Sequence, residues 1–286
     1  SALWPFAVFG WPIACAQTQK SKVKNKNYCV PKSGTELEQF YPTQVLSTAR
    51  DIINLWVARM IFSGLEFMGK KPFTDVIIHP TVLTKDGKRM SKSLGTGIDP
   101  MDLISKYGAD SARFGLIFQM MGGQDMRFDE SALAAGKKFA NKLWNISRFA
   151  LTQIGNNKLQ NPNRKQILNL SADRQDSNLQ KEDKEILEKL EQTVKSVTKN
   201  IDDYKFGQAL RAIYDFVWHD FADVYIEYSK TKNIDEIKEI LSYVLINTVK
   251  ILHPFMPFIT EEIWSLLPRP AGQERNLLII EKWPNI

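Results

Sequence analysis

The second half of the chain has apolar residues at helical spacing. In the three stretches 182–202, 205–229 and 234–252, such a residue recurs every three or four positions, so each stretch would form a helix with one apolar face. The positions are Ile186, Leu190, Val194, Val197 and Ile201, then Phe206, Leu210, Ile213, Val217, Phe221 and Val224, and finally Ile237, Leu241, Val244, Thr248 and Leu252. Helices of this kind bury their apolar faces against one another, and we therefore predict a helical bundle over residues 131–286.

The first part of the chain has mixed α/β character. Residues 76–78, Val-Ile-Ile, are predicted to form a buried strand, and residues 50–67 have the spacing of a helix. Lysine and small polar residues dominate residues 16–36, which predicts an exposed and mobile insertion. The predicted fold class is therefore α/β followed by all-α. We divide the chain into an α/β part at 1–88 that contains the insertion, a connecting part at 89–130, and the bundle at 131–286.

Charge, cysteine content and hydropathy restrict the class of protein. The net charge of +6 and the pI near 9.1 suit a polyanionic partner such as RNA. Cys15 and Cys29 are too few for a disulfide framework and lie apart from any histidine, so we expect free thiols, a cytoplasmic location and no protein-bound metal. No apolar run approaches the roughly 20 residues that span a bilayer. The chain begins without methionine or a signal peptide, and we expect it to be a piece of a longer protein.

A short basic segment, residues 86–95, has the composition of a phosphate-binding loop. Its sequence Asp-Gly-Lys-Arg-Met-Ser-Lys-Ser-Leu-Gly combines three cations with two hydroxyls and two glycines. Cations and hydroxyls can bind a polyphosphate, and glycine lets the backbone approach it closely. A solvated lysine-rich turn would have the same composition. Asp99 and Pro100 have the pattern of an N-cap and a first helical residue, which predicts a helix soon after the loop.

The basic segment and its surroundings resemble a known family. Residues 89–93, Arg-Met-Ser-Lys-Ser, resemble the Lys-Met-Ser-Lys-Ser signature of the class I aminoacyl-tRNA synthetases, and residues 98–100 and 107–114 are similar to the family segments on the C-terminal side of that signature. Residues 1–6, 51–60, 122–125 and 252–264 resemble the valine-specific members of the family. The resemblance covers the chain except for about residues 15–36 and 157–180. It implies the second half of a Rossmann-like nucleotide-binding domain, then a helical-bundle anticodon-binding domain.

The resemblance also implies a two-step reaction and its ligands. Valine attacks the α-phosphate of ATP, which binds with Mg²⁺, to give valyl-adenylate; the valyl group then passes to a terminal ribose hydroxyl of tRNA(Val). The protein supplies charge stabilisation and alignment to the first step. Lys92 would hold the leaving pyrophosphate, and Arg89, Ser91 and Ser93 belong to the same catalytic loop. Arg89 stands where the family usually has lysine, so a planar guanidinium replaces a compact ammonium.

Four residues of the α/β part match family positions around the adenylate. Asp51 matches the position that holds the ribose, and His79 matches a position near the adenine. Ile52 and Trp56 match the valine side-chain pocket and are four residues apart, on one face of a helix. From the residues alone, Asp51 could equally be a helix N-cap, His79 a structural residue, and Ile52 and Trp56 core residues.

The predicted helix at 131–151 carries a candidate RNA-binding face. Its apolar face is predicted to hold Phe139, Leu143, Ile146 and Ala150. A second face, about a quarter turn away, holds Lys138, Lys142, Asn145 and Phe149, with Arg148 adjacent. An aromatic ring among cations and an amide suits stacking on single-stranded RNA, although Phe149 could instead pack against a neighbouring helix. Because related synthetases read the anticodon with a bundle at this position, the resemblance favours a tRNA-binding role.

Several departures from the family limit what the chain can do alone. The sequence has no His-Ile-Gly-His signature, because its three histidines lie far apart. We therefore expect this chain alone to form no valyl-adenylate, and we expect it to be a monomer. Ala49 replaces the usual glycine and Thr96 the common asparagine. The alternatives are an isoleucine or leucine enzyme of the same subgroup and a non-catalytic tRNA-binding module.

Overall fold

The computed structural model describes residues 20–23, 26–29, 39–91, 95–120, 122, 124–155, 180–268 and 276–284, with the backbone alone at 20–29 and 234–236. Two compact units are present, one up to Thr81 and one from Val82 onward. The second unit is the larger, and it contains nearly all of the buried hydrophobic residues.

The first unit contains a strand–helix–strand motif. Strand β3 (Thr43–Ala49) lies parallel to β4 (Phe73–His79), in a register that runs from Thr43 opposite Phe73 to Ala49 opposite His79. The connection is helical: a 3-10 turn (Arg50–Ile52), a π-helical turn (Ile53–Val57) and helix α1 (Ala58–Met68) follow one another. Gly69 then ends α1 in the left-handed conformation, with φ at 65°. The predicted helical segment is confirmed, and the parallel pair is the expected α/β element.

Two features of this unit differ from the sequence-based expectations. The lysine-rich insertion contains an antiparallel hairpin of β1 (Lys20–Val23) and β2 (Lys26–Cys29), which the sequence did not predict. The strand at 76–78 exists within β4, but it is not buried, since Val76 is 37% exposed and Ile77 and Ile78 are half-buried. A strand in a parallel sheet is buried only where both faces are covered, and in the described residues β4 pairs with β3 alone.

The second unit begins with a small mixed region. Strand β5 (Val82–Leu83) pairs in parallel with β6 (Met126–Arg127), and helices α2 (Pro100–Tyr107) and α3 (Ala109–Phe118) lie between them in the sequence. The carboxylate of Asp99 accepts a hydrogen bond from the Met101 amide (2.8 Å) and Pro100 is the first helical residue, which confirms the predicted start of α2. This region encloses a small core formed by Val82, Met90, Leu103, Ile104, Tyr107, Ala112, Phe128 and Leu133.

The rest of the second unit is a helical bundle, as predicted. Its helical segments are α4 (Ser131–Ile154), α5 (Lys181–Asp202), α6 (Phe206–Asp215), a π-helix (Phe216–Ile226), α7 (Glu227–Ser229), α8 (Ile234–Leu252), α9 (Pro257–Leu266) and a 3-10 turn (Leu278–Ile280). Almost every residue of the predicted apolar faces lies in one continuous core or packs against it. None of the helices that the structure describes is long and apolar enough to cross a membrane.

One predicted core position is wrong. Helical spacing places Val224 on the apolar face of residues 205–229, but it is 57% exposed, whereas Tyr225 is 1% exposed. The reason is the π-helix at Phe216–Ile226, whose hydrogen bonds span five residues instead of four and widen each turn. Buried positions therefore recur four residues apart, at Val217, Phe221 and Tyr225, and the apolar face moves off Val224.

Candidate functional site

Asp51 and His79 lie at the same edge of the two-stranded parallel sheet. Ala49 ends β3 and pairs with His79, which ends β4; Asp51 follows two residues after Ala49. The carboxyl edge of parallel strands is where open α/β folds bind nucleotides. Asp51 is inside the 3-10 turn and Ala49 occupies its N-cap position, so the N-cap interpretation of Asp51 is wrong. His79 is exposed, with Nδ1 3.2 Å from the carbonyl oxygen of Pro80. The ribose and adenine roles stay predictions.

Ile52 and Trp56 are both open to solvent on the helical connection after β3. Trp56 is 46% exposed and Ile52 is 37% exposed, so the interpretation of both as core residues is wrong. Leu55 and Phe62 on the same connection are more exposed still, at 61% and 71%. Large apolar side chains are seldom left in water over a contiguous area, and such an area marks a ligand or protein contact. Their predicted role in a valine pocket is compatible with this exposure.

The basic signature segment leaves β5 through a tight turn. The Thr84 amide donates to the Lys88 carbonyl (2.8 Å), and an isolated antiparallel bridge joins Leu83 to Arg89. Gly87 turns the chain with φ at 78°, and a β-carbon there would lie 3.4 Å from the Arg127 guanidinium. Arg127 thus adds a cation beside this turn, which no sequence pattern indicates. Its position depends on the pairing of β6 with β5.

A hydroxyl group closes the base of the loop that follows. The Ser91 amide donates to Thr96 Oγ1 (3.0 Å), the Thr96 amide donates to the Ser91 carbonyl (3.1 Å), and the Thr96 hydroxyl donates to the same carbonyl (3.3 Å). Met90 packs against the small core, while Arg89 is exposed. The structure therefore anchors both ends of the loop. Lys92 and Ser93, the other two predicted catalytic residues, lie outside the described residues.

Helix α4 carries all five predicted RNA-binding residues. Phe139, Leu143, Ile146 and Ala150 are buried as predicted, so the opposite part of the helix faces outward. Lys138, Asn145 and Arg148 are exposed, and Lys142 is partly buried. Phe149 is half-buried and packs against the bundle core, which agrees in part with the packing interpretation. One helix thus brings the five residues together, and their contact with RNA stays a prediction.

Asp110 and Arg113 join α3 to the short segment between α8 and α9 and to the first turn of α9. The carboxylate of Asp110 accepts hydrogen bonds from two amides in the first turn of α9, at 3.2 and 2.7 Å. The Arg113 guanidinium donates to the carbonyls of Pro254 (2.8 Å) and Phe255 (3.2 Å), just after α8 ends. An anion at a helix N-terminus and a cation near a C-terminus both complement the helix dipole. Sequence patterns within one helix could not reveal this, because the partners are more than 140 residues away.

The charge pattern of the described residues gives no metal centre. No group of three or more His, Cys, Asp or Glu side chains is placed to hold an ion within the ranges that the structure describes.

Two family models match the chain in sequence order. The model described as tRNA synthetases class I (I, L, M and V) matches residues 1–129, and the model described as the anticodon-binding domain of tRNA ligase matches residues 183–286. The first range contains the strand–helix–strand motif and the signature segment; the second contains most of the bundle.

Several valine–tRNA ligases are similar to this chain along its whole length. Valine–tRNA ligases from Bacillus thuringiensis subsp. konkukian and Geobacillus kaustophilus are each 42% identical, and the one from Bacillus subtilis is 41% identical, over alignments that include 100% of this chain. The chain spans 30% of the length of each of these relatives.

Solved structures with a similar fold are more distant in sequence. The ternary complex of Agrobacterium radiobacter K84 LeuRS, tRNA and LeuAMS matches with a TM-score of 0.67 at 22% identity, covering 86% of this chain and 29% of that one. Mycobacterium tuberculosis methionyl-tRNA synthetase in complex with methionyl-adenylate matches with a TM-score of 0.63 at 20% identity, covering 85% and 48%. At this identity the similarity concerns the fold, and it agrees with a partial Rossmann-like domain followed by a helical domain.

Proposed function

Since this chain belongs to the class I aminoacyl-tRNA synthetases, we propose that it is part of a valine–tRNA ligase. The observation that carries the proposal is identity of 41–42% to valine–tRNA ligases along the entire chain. Along the chain, the match to the class I tRNA synthetase model precedes the match to the anticodon-binding domain model. Because the chain spans 30% of those relatives, the complete reaction is proposed for a longer protein.

In the activation step, the valine carboxylate attacks the α-phosphate of ATP and pyrophosphate leaves. The reaction needs positively charged groups beside the leaving pyrophosphate, which gains negative charge, more than it needs a proton transfer. We assign that charge to Lys92, with Arg89 beside it and Ser91 and Ser93 as hydroxyl donors; Mg²⁺ would enter with ATP. The hydrogen bonds between Ser91 and Thr96 support this assignment, because they bring together the two residues that flank Lys92 and Ser93 in the sequence.

The edge of the parallel sheet is proposed to bind the rest of the adenylate. Asp51 would accept hydrogen bonds from the ribose hydroxyls, and His79 would lie near the adenine. Ile52 and Trp56 would contact the valine side chain, a role that their exposure on the helical connection supports. An apolar pocket suits valine, which has no polar group in its side chain.

In the transfer step, the valyl group moves to a terminal ribose hydroxyl of tRNA(Val). We propose that Lys138, Lys142, Asn145, Arg148 and Phe149 bind its anticodon loop, since α4 carries all five and leaves three of them exposed and two partly exposed. The net charge of +6 is suited to a tRNA ligand. A cytoplasmic monomer is the form in which we expect the whole protein to act.

ATP–pyrophosphate exchange by the full-length protein tests the assignment of Lys92. Exchange should depend on valine and not on isoleucine, and Lys92→Ala should lower kcat by about 10²–10³-fold, the usual effect of removing one transition-state donor. Lys88→Ala is the matched control, because it removes a nearby exposed cation from the turn. Exchange that depends on isoleucine, or that is insensitive to Lys92→Ala, would contradict the proposal. The present chain alone should catalyse no exchange.

Binding of an anticodon stem-loop tests the role of α4. Phe149→Ala should weaken binding by about 1–3 kcal/mol, the range for one stacking contact. Phe149→Leu keeps apolar packing against the bundle without the aromatic ring, and it should lose as much affinity while remaining as stable in urea. If Phe149→Leu binds normally, Phe149 is a packing residue only.

A further inference from the structure

Lys142 differs from the other cations of α4 because its charge is already paired. Its ammonium is 2.7 Å from Oδ1 of Asp223, and the Lys142 side chain is 24% exposed. The same ammonium lies 4.1 Å from the centre of the Trp218 ring. Trp218 is itself held by stacking on Tyr214, with ring centres 5.4 Å apart and planes 20° apart. The π-helix that carries Asp223 and Trp218 thus fixes both the position and the charge of Lys142.

Lys138 and Arg148, on the same helix, differ from Lys142 in their exposure and in their charge pairing. Both are exposed, and within the described part of the chain neither side chain has an ion-pair partner. They lie about one and two turns from Lys142 along α4. The proposed anticodon-binding face therefore contains two kinds of cation, unpaired ones at either side and a neutralised one between them.

We propose that the Lys142–Asp223 pair contacts a base edge as one neutral unit, and that Lys138 and Arg148 supply the phosphate contacts. This inference rests on the proposed tRNA-binding function. A phosphate placed on the Lys142 ammonium would also lie close to the Asp223 carboxylate, and the two anions repel each other. A neutral base edge meets no such repulsion. It can accept from the ammonium and donate to the remaining lone pairs of the carboxylate, whose Oδ2 lies 3.8 Å from His219 Nδ1.

The dependence of binding on salt separates the two kinds of contact. A cation that neutralises a phosphate releases bound counterions, so each such contact adds about 0.7 to the slope of log K against log salt for single-stranded nucleic acid. A cation that is already neutralised by a carboxylate releases few counterions. Loss of the whole neutral pair should therefore change affinity and base discrimination without changing the slope.

The experiment uses this chain and two RNA hairpins, one with the tRNA(Val) anticodon loop and one with altered loop bases. Dissociation constants are measured between about 50 and 200 mM salt. Lys138→Met and Arg148→Met should each reduce the slope by about 0.7. The double variant Lys142→Met/Asp223→Asn removes the neutral pair without leaving the carboxylate unpaired. It should leave the slope unchanged and reduce discrimination between the two hairpins by about tenfold. Circular dichroism confirms that each variant is folded.

A second set of variants removes the carboxylate instead of the cation. Asp223→Asn frees the Lys142 charge, so the slope should steepen by about 0.7 and binding of the altered hairpin should strengthen. Asp220→Asn is the matched control, because it adds the same net charge by releasing Lys189 of α5, whose ammonium is 3.0 Å from the Asp220 carboxylate. Asp220→Asn should leave the slope unchanged.

The outcomes are distinct. If the double variant Lys142→Met/Asp223→Asn reduces the slope as much as Lys138→Met does, Lys142 contacts phosphate and the inference is overturned. An equal effect of Asp223→Asn and Asp220→Asn would overturn it as well. If the unsubstituted chain binds neither hairpin, the anticodon-binding function itself fails, which is a different result from an altered slope.

Discussion

Thr96 shows how a single residue can define a loop. Its hydroxyl accepts from the Ser91 amide and donates to the Ser91 carbonyl, so one side chain joins both ends of the loop. Thr96→Val keeps the shape and removes both bonds. The site is exposed, so water can replace the lost bonds. We therefore expect the free energy of local opening at Ser91 to fall by about 1 kcal/mol, and the Ser91 amide hydrogen to exchange about fivefold faster. Amide hydrogen exchange measured by NMR checks this; Thr96→Ser should exchange normally, and unchanged exchange in Thr96→Val would refute it.

Asp183 is a buried carboxyl group at the start of α5, where its pH response can be predicted. It accepts from the Tyr225 hydroxyl (2.9 Å) and the Gln180 amide (3.3 Å), but burial dominates and raises its pKa above the usual value. A raised pKa in the folded state means that this group favours folding below its unfolded pKa of about 3.9, and that the benefit is lost as the pH rises through the folded value.

The variant Asp183→Asn should therefore change the pH dependence of stability. The amide does not ionise and can still accept from the Tyr225 hydroxyl, so the stability of Asp183→Asn relative to the original chain should increase from about pH 4 to pH 7. Urea unfolding at both values measures this difference. If the difference in stability between Asp183→Asn and the original chain is the same at both pH values, Asp183 has the same pKa in the folded and unfolded states. Asp183→Ala is the control, and it should lower stability at both pH values because it leaves buried donors unpaired.

At the scale of secondary-structure elements, α3 and α4 cross at a distance that only glycine permits. A β-carbon on Gly136 would lie 2.9 Å from Phe114 Cδ1 and 3.0 Å from the Ser111 carbonyl oxygen. A β-carbon on Gly115 would lie 2.5 Å from Leu133 Cδ1 and 2.8 Å from the Leu133 backbone nitrogen. We expect Gly136→Ala to destabilise the chain by about 1 kcal/mol, because overpacking exceeds the gain in helix propensity.

The matched variant Gly115→Ala should destabilise more, by about 2–3 kcal/mol, since two of its close contacts are to the Leu133 backbone, which cannot rotate away. Urea midpoints of both variants, followed by the circular dichroism of the helices, provide the test. If either alanine stabilises the chain, the two helices can separate and the close crossing is not required.

The elements also show where sequence patterns are sufficient. A period of 3.6 located the buried faces of α4, α5 and α8 correctly because those helices are regular. It failed at Val224, since the backbone changes to π-helical hydrogen bonding and no local pattern reports this. The same limit applies to Lys142: spacing placed it on an outward face, but its partners Asp223 and Trp218 come from a different helix.

At the scale of the whole molecule, the order of an α/β part and a bundle was predictable, and contacts between distant segments were not. Charge and motif identified the signature segment. The position of Arg127 beside Gly87, and the hydrogen bonds of Asp110 to the first turn of α9, arise only when distant segments come together in the fold. The short apolar runs and turns up to residue 88, and the basic segment around it, predict a boundary at 88/89, which stays a prediction. The described structure has two compact units that divide between Thr81 and Val82, and β5 pairs with β6 inside the second unit.

Two truncated chains distinguish these boundaries. A chain of residues 82–286 keeps β5, whose Leu83 carbonyl accepts from the Phe128 amide (2.9 Å), and keeps Val82 packed on the small core. A chain of residues 89–286 loses both, so we expect it to be less stable by about 2 kcal/mol, the sum of a partly buried valine and one or two hydrogen bonds. A chain that starts two residues earlier, at Pro80, is the control and should match the 82–286 chain. Urea unfolding measures all three, and equal stability of the 82–286 and 89–286 chains would support the boundary at 88/89.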